Sequence, residues 1–271
     1  MEKPVPRGRS DTGIILRHDV DNPYVGELGF GLVRRKFVWT LNWYKQYGLL
    51  GEKLPCFAQL KYLHATKRLF DVEKDLGIEG SWYFRTRTKP YSSLRETMLQ
   101  HGCEISFHAD RTNDENRFLA DLEYTVGKDK QSGFTKHGSA RDEYEARKGH
   151  IEIYDPGSCL RLAKKHEFKY FCGNGTNPEE EWKVIDGVLY FPNVFWIQTG
   201  YMDDKKYTLE WLIEAQRNRD IVVLIHPREY TDLFPEFKAK IDELFRRVSG
   251  IISFRTFLIR NSDRLPQLHE G

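Results

Sequence analysis

Short β-rich runs alternate with helical patterns along this chain, and that alternation constrains its fold more tightly than any other feature. The runs lie at 13–18, 81–85, 104–108, 133–137, 169–172, 188–191, 221–226 and 251–254. Some, such as Ile221-Val222-Val223-Leu224-Ile225, are continuously apolar, the mark of a strand covered on both faces. Between them, Tyr62, Ala65, Leu69, Val72 and Leu76 follow helical spacing and stop before Gly77. Ser93 with Glu96 reads as a capping box on a helix closed by Gly102, and Asp155-Pro156 reads as an N-cap followed by proline at the first helical position. Repeated β–α units predict a mostly parallel sheet, open or closed into a barrel. At 271 residues, with no linker or repeat, one domain over 1–271 is expected. The stretch 24–55 is long for a β–α connection. Its aromatics (Phe30, Phe37, Trp39, Trp43, Tyr44, Tyr47) predict a helical insertion after the first strand, packed beside or over a site.

Charge and cysteine content exclude several classes of function. Lys and Arg total 42 against 40 Asp and Glu, for a net charge of +2, so there is no concentrated basic surface to bind nucleic acid by counterion release. Cys56, Cys103, Cys159 and Cys172 lack CxxC spacing, which argues against a zinc ribbon and fits thiols of a reducing compartment. Met1 to Arg7 has no apolar core of a signal peptide, and no run approaches the ~20 apolar residues of a membrane span. A cytoplasmic location is therefore expected.

Chemistry gathers at the ends of the predicted strands. Gly13-Ile14-Ile15-Leu16-Arg17-His18-Asp19-Val20-Asp21 is an apolar run ending in two carboxylates separated by one valine. Alternation along a strand puts Asp19, Asp21 and Arg17 on one side and turns His18 away. Two neighbouring carboxylates need a positive partner, a shared proton or a metal. The next strands end in Arg85, in His108 and Asp110, in His137, and in His226-Pro227. In a barrel of parallel strands all these ends meet on one face. Asp21, His108 and His137 would supply the three ligands of a catalytic cation, zinc or similar, leaving one position open. Asp19 can then take a proton from water, and His226 can protonate a departing group. Arg85 and Arg228 are candidates to hold a substrate carboxylate or orient Asp19, and Trp196 and Tyr201 to stack on a sugar ring. The segment Gly173 to Asn177 lacks the lysine of a phosphate loop and is read as a rim loop.

These residues resemble the polysaccharide deacetylase superfamily (NodB-homology, carbohydrate esterase 4-like). Arg17-His18-Asp19-Val20-Asp21 is similar to its first motif, in a variant with His-Asp-Val-Asp. Glu79 to Phe84 resembles the second-strand segment, His101-Gly102-Cys103-Glu104-Ile105-Ser106-Phe107-His108 the "GHEIGxH" motif, and Leu224-Ile225-His226-Pro227 the late "LxxHP" motif. The resemblance implies a distorted (β/α)-barrel of about seven parallel strands and metal-dependent removal of an acyl group, usually acetyl, from an N-acetylated sugar. It implies Asp19 as general base, Asp21 and His108 as metal ligands and His226 as general acid, and it is nearest to the deacetylase-like proteins encoded with bacterial O-antigen or capsule genes. Two positions depart from the family pattern. The second metal histidine is replaced by Thr112, and the "RxPY" motif is absent; near its place stands Phe134-Thr135-Lys136-His137-Gly138. His137 is read as the replacement ligand, with Asp110 as its partner or as an alternative ligand. The expected partner is an N-acylated sugar or glycan. Competing readings are a metal-dependent amidase acting on a non-sugar amide and a catalytically silent glycan-binding barrel. The sequence leaves the oligomeric state open.

Overall fold

The computed structural model describes residues 13–22, 62–127, 131–138 and 152–264. The expected insertion at 24–55 lies outside the described residues. In chain order the elements are β1 (Ile14–Val20), α1 (His64–Asp75), β2 (Ser81–Phe84), α2 (Ser92–Gln100), β3 (Glu104–Ala109), α3 (Glu115–Val126), β4 (Gly133–Lys136) and α4 (Pro156–Lys165). There follow β5 (Tyr170–Gly175), β6 (Lys183–Ile185), β7 (Val188–Asn193), β8 (Phe195–Trp196), α5 (Leu209–Ala215), β9 (Ile221–Ile225), α6 (Pro235–Arg247) and α7 (Phe254–Arg260).

The strands form one nine-stranded sheet in the order β6-β7-β5-β4-β3-β2-β1-β9-β8. Every neighbouring pair runs parallel except β6 with β7. One extended segment serves both margins. Its first part, β7, pairs with β5, and two residues later β8 pairs with β9 on the far side. The sheet therefore curls until its margins are joined through Val194, giving the distorted α/β barrel that the strand–helix alternation predicts.

Strand alternation divides the side chains between two cores. Leu16, Val20, Trp82, Phe84, Phe107, Phe134 and Phe171 point outward and are covered by Leu69 and Phe70 of α1, Phe118 of α3 and Leu244 of α6. His18 also points outward, where Glu73 of α1 meets its Nε2 at 2.7 Å and Trp82 stacks on its ring at 4.0 Å. Inward, Ile15, Tyr83, Tyr170, Cys172, Phe191, Trp196, Val222 and Leu224 fill the barrel, and Phe254 of α7 plugs its lower end. Tyr170 stacks flat on Phe254 with centroids 4.5 Å apart. Close packing here limits the choice of residue. A Cβ on Gly133 would lie 2.5 Å from the Tyr170 ring.

Three local expectations are corrected. The run 251–254 is not a strand. Ile252 makes a single parallel bridge with Ile15, because β2 joins β1 only from Arg17 onward and leaves one short edge below it. Ser253 then caps α7 through Thr256 N at 3.1 Å. Second, α2 begins at Ser92 with Tyr91 as N-cap and no side-chain cap bond, so Ser93 and Glu96 fall too deep in the helix to form a capping box. Third, the glycine-rich residues read as a rim loop extend β5 as far as Gly175. By contrast, the Asp155 side chain caps α4 through Gly157 N at 2.9 Å and Ser158 N at 3.1 Å, as predicted.

Replacing Gly133 by alanine should destabilise the fold by about 1–3 kcal/mol, because a methyl must displace the Tyr170 ring from a filled core. A urea titration with an unchanged slope and a lower midpoint would register this.

Candidate active site at the strand C-termini

β1 delivers its carboxylates to the upper mouth of the barrel, but the structure treats the two differently. Asp19 is held by Arg17 from the same strand face, Nε donating to Oδ1 at 2.9 Å and Nη2 to Oδ2 at 2.5 Å. Arg17 is itself 0% exposed. Its remaining N–H groups donate to the Gly173 carbonyl at 2.7 Å and to Asn174 Oδ1 at 2.7 Å, both at the end of β5. Asn174 in turn donates to the Lys136 carbonyl at 2.6 Å, tying the clamp to β4. Burial alone would push Asp19 up; the Arg17 guanidinium, helped by His108, overcomes it and holds the carboxyl below its usual range. Burial also opposes the charge on Arg17, yet Asp19 raises its pKa above the ordinary arginine value.

Asp21 lies one step beyond the strand and faces histidines instead. Its Oδ1 is 3.2 Å from His108 Nε2 and 3.5 Å from His137 Nε2, and its Oδ2 is 3.5 Å from His226 Nε2. Burial works to raise the Asp21 pKa, but these imidazoles hold it well below the ordinary value. His108 and His137 come from neighbouring strand ends, with rings 5.4 Å apart and nearly perpendicular. Thr135 sits opposite His108 across the β3–β4 pair, and its Oγ1 is 2.6 Å from His108 Nδ1. When Nδ1–H donates to that oxygen, Nε2 presents its lone pair to Asp21. Behind His137, Asp110 Oδ1 stands 3.6 Å from Nδ1 and accepts a hydrogen bond from Arg85. Burial, with Arg85, His108 and Arg87 nearby, pushes His137 down to about 2. It is therefore neutral at pH 7, the form that binds a metal.

Can this group hold a cation? The donor types suit zinc or a similar divalent ion, one carboxylate with two neutral imidazoles. Asp21 Oδ1 is buried without a hydrogen bond, an orphaned acceptor facing two ring nitrogens. Donors bound at about 2.0–2.1 Å to a tetrahedral metal stand about 3.3 Å apart, and the two Asp21–histidine separations, 3.2 and 3.5 Å, bracket that value. The residues fit the ion in kind and spacing, although among the described residues no group of three or more His, Cys, Asp or Glu stands as a preformed metal cage. Thr112, where the family pattern has a histidine, is tied elsewhere: its N and Oγ1 both donate to Glu152 Oε1 at 2.6 Å.

His226 follows β9 and is oriented by Glu229 three residues on. Its backbone N donates to Glu229 Oε2 at 3.1 Å, and its Nδ1 lies 3.0 Å from Oε1. Burial opposes the charge on His226, yet Glu229, with Asp21 and Asp19, raises it to about 9. Trp196 lies beside it, ring centroids 5.9 Å apart, and stacks on Tyr201 at 4.5 Å. Arg85 is committed to Asp110, with a longer contact to the Asp21 carbonyl at 3.4 Å. Arg228 sits on the turn after His226, and its buried Nε has no hydrogen bond. Thus Asp19, Asp21, His108, His137, His226, Arg85 and Trp196 are gathered at one mouth, while Thr112 is not among them. Sequence reasoning overlooked Glu229, Thr135, Asn174 and Arg87. Two of these left a signal: Glu229 follows His226 at i+3 in His-Pro-Arg-Glu, and Thr135 precedes His137 on the same strand face.

Replacing Arg17 by methionine would strand Asp19 as a buried, unpaired charge and should cost about 3–5 kcal/mol at neutral pH. The Asp19 pKa is depressed in the fold, so the pair's contribution is present above the unfolded carboxyl pKa of about 3.9 and is lost as pH falls below it. Denaturant titrations of both proteins should therefore differ widely at pH 7 and draw together only as pH falls through the depressed Asp19 value.

No family model and no curated protein matches this chain. Solved structures do resemble it. One, from Bordetella bronchiseptica, is described as a polysaccharide deacetylase involved in O-antigen biosynthesis; it is 15% identical, with TM-score 0.43, over 93% of this chain and 90% of that one. Another is a peptidoglycan deacetylase from Bacillus subtilis, 9% identical, with TM-score 0.46, over 95% of both chains. A third is 4-alpha-glucanotransferase from Thermococcus litoralis, 10% identical, TM-score 0.50, over 91% of this chain and 38% of that one. This last likeness is one of fold alone.

Proposed function

We propose that this chain is a metal-dependent hydrolase that removes an N-acyl group, most simply acetyl, from a sugar during assembly of a surface polysaccharide such as O-antigen or capsule. The observation that carries this reading is the separation of the two β1 carboxylates. Asp19 is saturated by arginine, whereas Asp21 opens towards three imidazoles. The motif resemblance around Asp21, His108 and His226 points the same way.

In this reading Asp21, His108 and His137 hold one divalent ion, zinc by donor type. Bound there, the ion would supply Lewis acidity, acidifying a water and polarising an acyl carbonyl. Asp19 is the general base. Arg17 fixes its orientation and keeps it ionised, 3.6 Å from His108 Nε2. Its low pKa makes it a weak base that holds a proton only briefly. His226 is the general acid. As an imidazolium it donates Nδ1–H to Glu229 and has an Nε2–H to give to the departing amine. After that transfer the Nδ1 proton remains on the Glu229 side, which fixes the neutral tautomer. Trp196 offers an apolar wall for the substrate beside His226, and Arg85 and Arg228 are the proposed polar contacts.

One observation favours a second reading, the catalytically silent glycan-binding barrel. Thr112 has left the family's metal position, and no preformed cage stands among the described residues. Zinc titration followed by acetate-release assays on N-acetylated sugars separates the two. The hydrolase reading expects about one zinc per chain, with affinity falling at least ~10-fold in His108→Ala and His137→Ala. A protein that takes up no zinc and releases no acetate from any N-acetylated sugar is the silent one. Zinc uptake with hydrolysis only of non-sugar amides would instead indicate the amidase.

The pH profile tests the acid. With His226 near 9, the required proton is present at neutral pH and is lost as pH rises through about 9. The rate should hold up to about pH 8 and then fall, and Glu229→Gln should move that fall towards the ordinary histidine value of about 6.5.

A further inference from the structure

Among the described residues most charges around the candidate site pair off, and two cations, Arg87 and Arg228, are left without an ion pair. Arg17 is answered by Asp19, Arg85 by Asp110 and the His226 imidazolium by Glu229. Arg87 has no such partner. Among the described residues its one hydrogen bond runs from Nε to the Asp21 backbone carbonyl at 3.0 Å, and it makes no ion pair. Both Nη groups therefore lack a protein acceptor among the described residues.

The position of Arg87 is built, although its side chain is exposed. It is the middle residue of a 3₁₀ turn, Thr86–Thr88, that begins where β2 ends. Arg85 N donates to Thr88 Oγ1 at 2.9 Å, and that hydroxyl donates to the Val20 carbonyl at 2.6 Å. The turn is thus pinned to β1 directly beneath Asp21. From there the guanidinium is anchored by Nε to the same residue whose carboxylate faces His108 and His137. Partial desolvation, with the neighbouring Arg85 charge, pushes Arg87 down to about 10 against the opposing pull of Asp110 and Asp21, so it remains cationic at neutral pH. If Asp21 offsets half the charge of a divalent ion, the arginine adds to the positive surplus that remains. A guanidinium with two free amino groups is shaped for paired hydrogen bonds to a carboxylate or phosphate.

We propose that Arg87 forms an anion subsite beside the candidate metal centre, so that the N-acylated substrate carries a carboxylate or phosphate close to its acyl group. The sugar identity in this statement rests on the deacetylase reading; the anion preference does not. The general class is an acidic sugar, as a uronate or as a sugar phosphate.

Calorimetric titration of the protein with N-acetylglucosamine, N-acetylglucosaminuronate and N-acetylglucosamine 1-phosphate tests this. A charged-group hydrogen bond contributes about 1.5–3 kcal/mol, so at least one anionic sugar should bind about ten- to a hundredfold more tightly than the neutral one. Arg87→Gln should abolish that ratio, and Arg87→Lys should keep part of it. Preference for the uronate would mark a carboxylate subsite, and preference for the phosphate a nucleotide- or lipid-linked type of substrate. Equal binding of all three sugars, or no measurable binding of any, overturns the proposal. So does an Arg87→Gln variant that keeps the ratio or weakens all three sugars alike. Acetate release is measured in parallel. Anion preference without acetate release would sink the deacetylase reading alone, and acetate release without anion preference would sink this inference alone.

Discussion

The buried pairing of Arg17 with Asp19 is the interaction on which the upper half of the barrel depends. An arginine with no solvent exposure is tolerable only if its charge and its N–H groups are all met. Asp19 meets the charge, and the Gly173 carbonyl and Asn174 meet the other donors from across the barrel. Asn174 passes the constraint to the carbonyls of Lys136 and Gly138, either side of His137. One ion pair therefore fixes β1, β4 and β5 relative to each other at the level where the candidate ligands emerge. It also removes Asp19 from competition for a cation and leaves Asp21 as the open carboxylate.

Apart from Asp21, each carboxylate or imidazole around that mouth is oriented by a partner behind it. Thr135 stands behind His108, Asp110 behind His137, Glu229 behind His226 and Arg17 behind Asp19. Arg85 then holds Asp110. This backing shell sets the protonation of the site as well as its geometry: His137 is kept neutral by burial and nearby cations, while His226 is kept charged by Glu229. Two histidines a few ångströms from one carboxylate thus acquire opposite character, which suits one to binding a metal and the other to giving up a proton.

Much of this was legible in the chain because the β period is fixed. Alternation alone placed Arg17, Asp19 and Asp21 on one side and turned His18 outward, where it meets Glu73 and Trp82. The parallel strand–helix repeat likewise brought the ends bearing Arg85, His108, His137 and His226 to one mouth. Legibility failed where a partner lies far away in sequence. Nothing near Arg17 announces Asn174, 157 residues on, and a glycine-rich stretch that reads as a loop is in fact the strand end that receives it. It also failed for very short elements. β8 has two residues, too few for a period to register, yet it joins the two margins of the sheet.

The sequence by itself determined the fold class and the inventory of reactive groups, because strand periodicity and the strand–helix repeat are local properties of a chain. Tertiary structure decided how those groups are used. Only the curling of the sheet brings β5 across the barrel to β1 and Arg17 against Asn174, and only the β3–β4 register sets Thr135 behind His108. Those contacts separate Asp19 from Asp21 in role, since buried charges take their character from the partners that surround them rather than from their place in the chain.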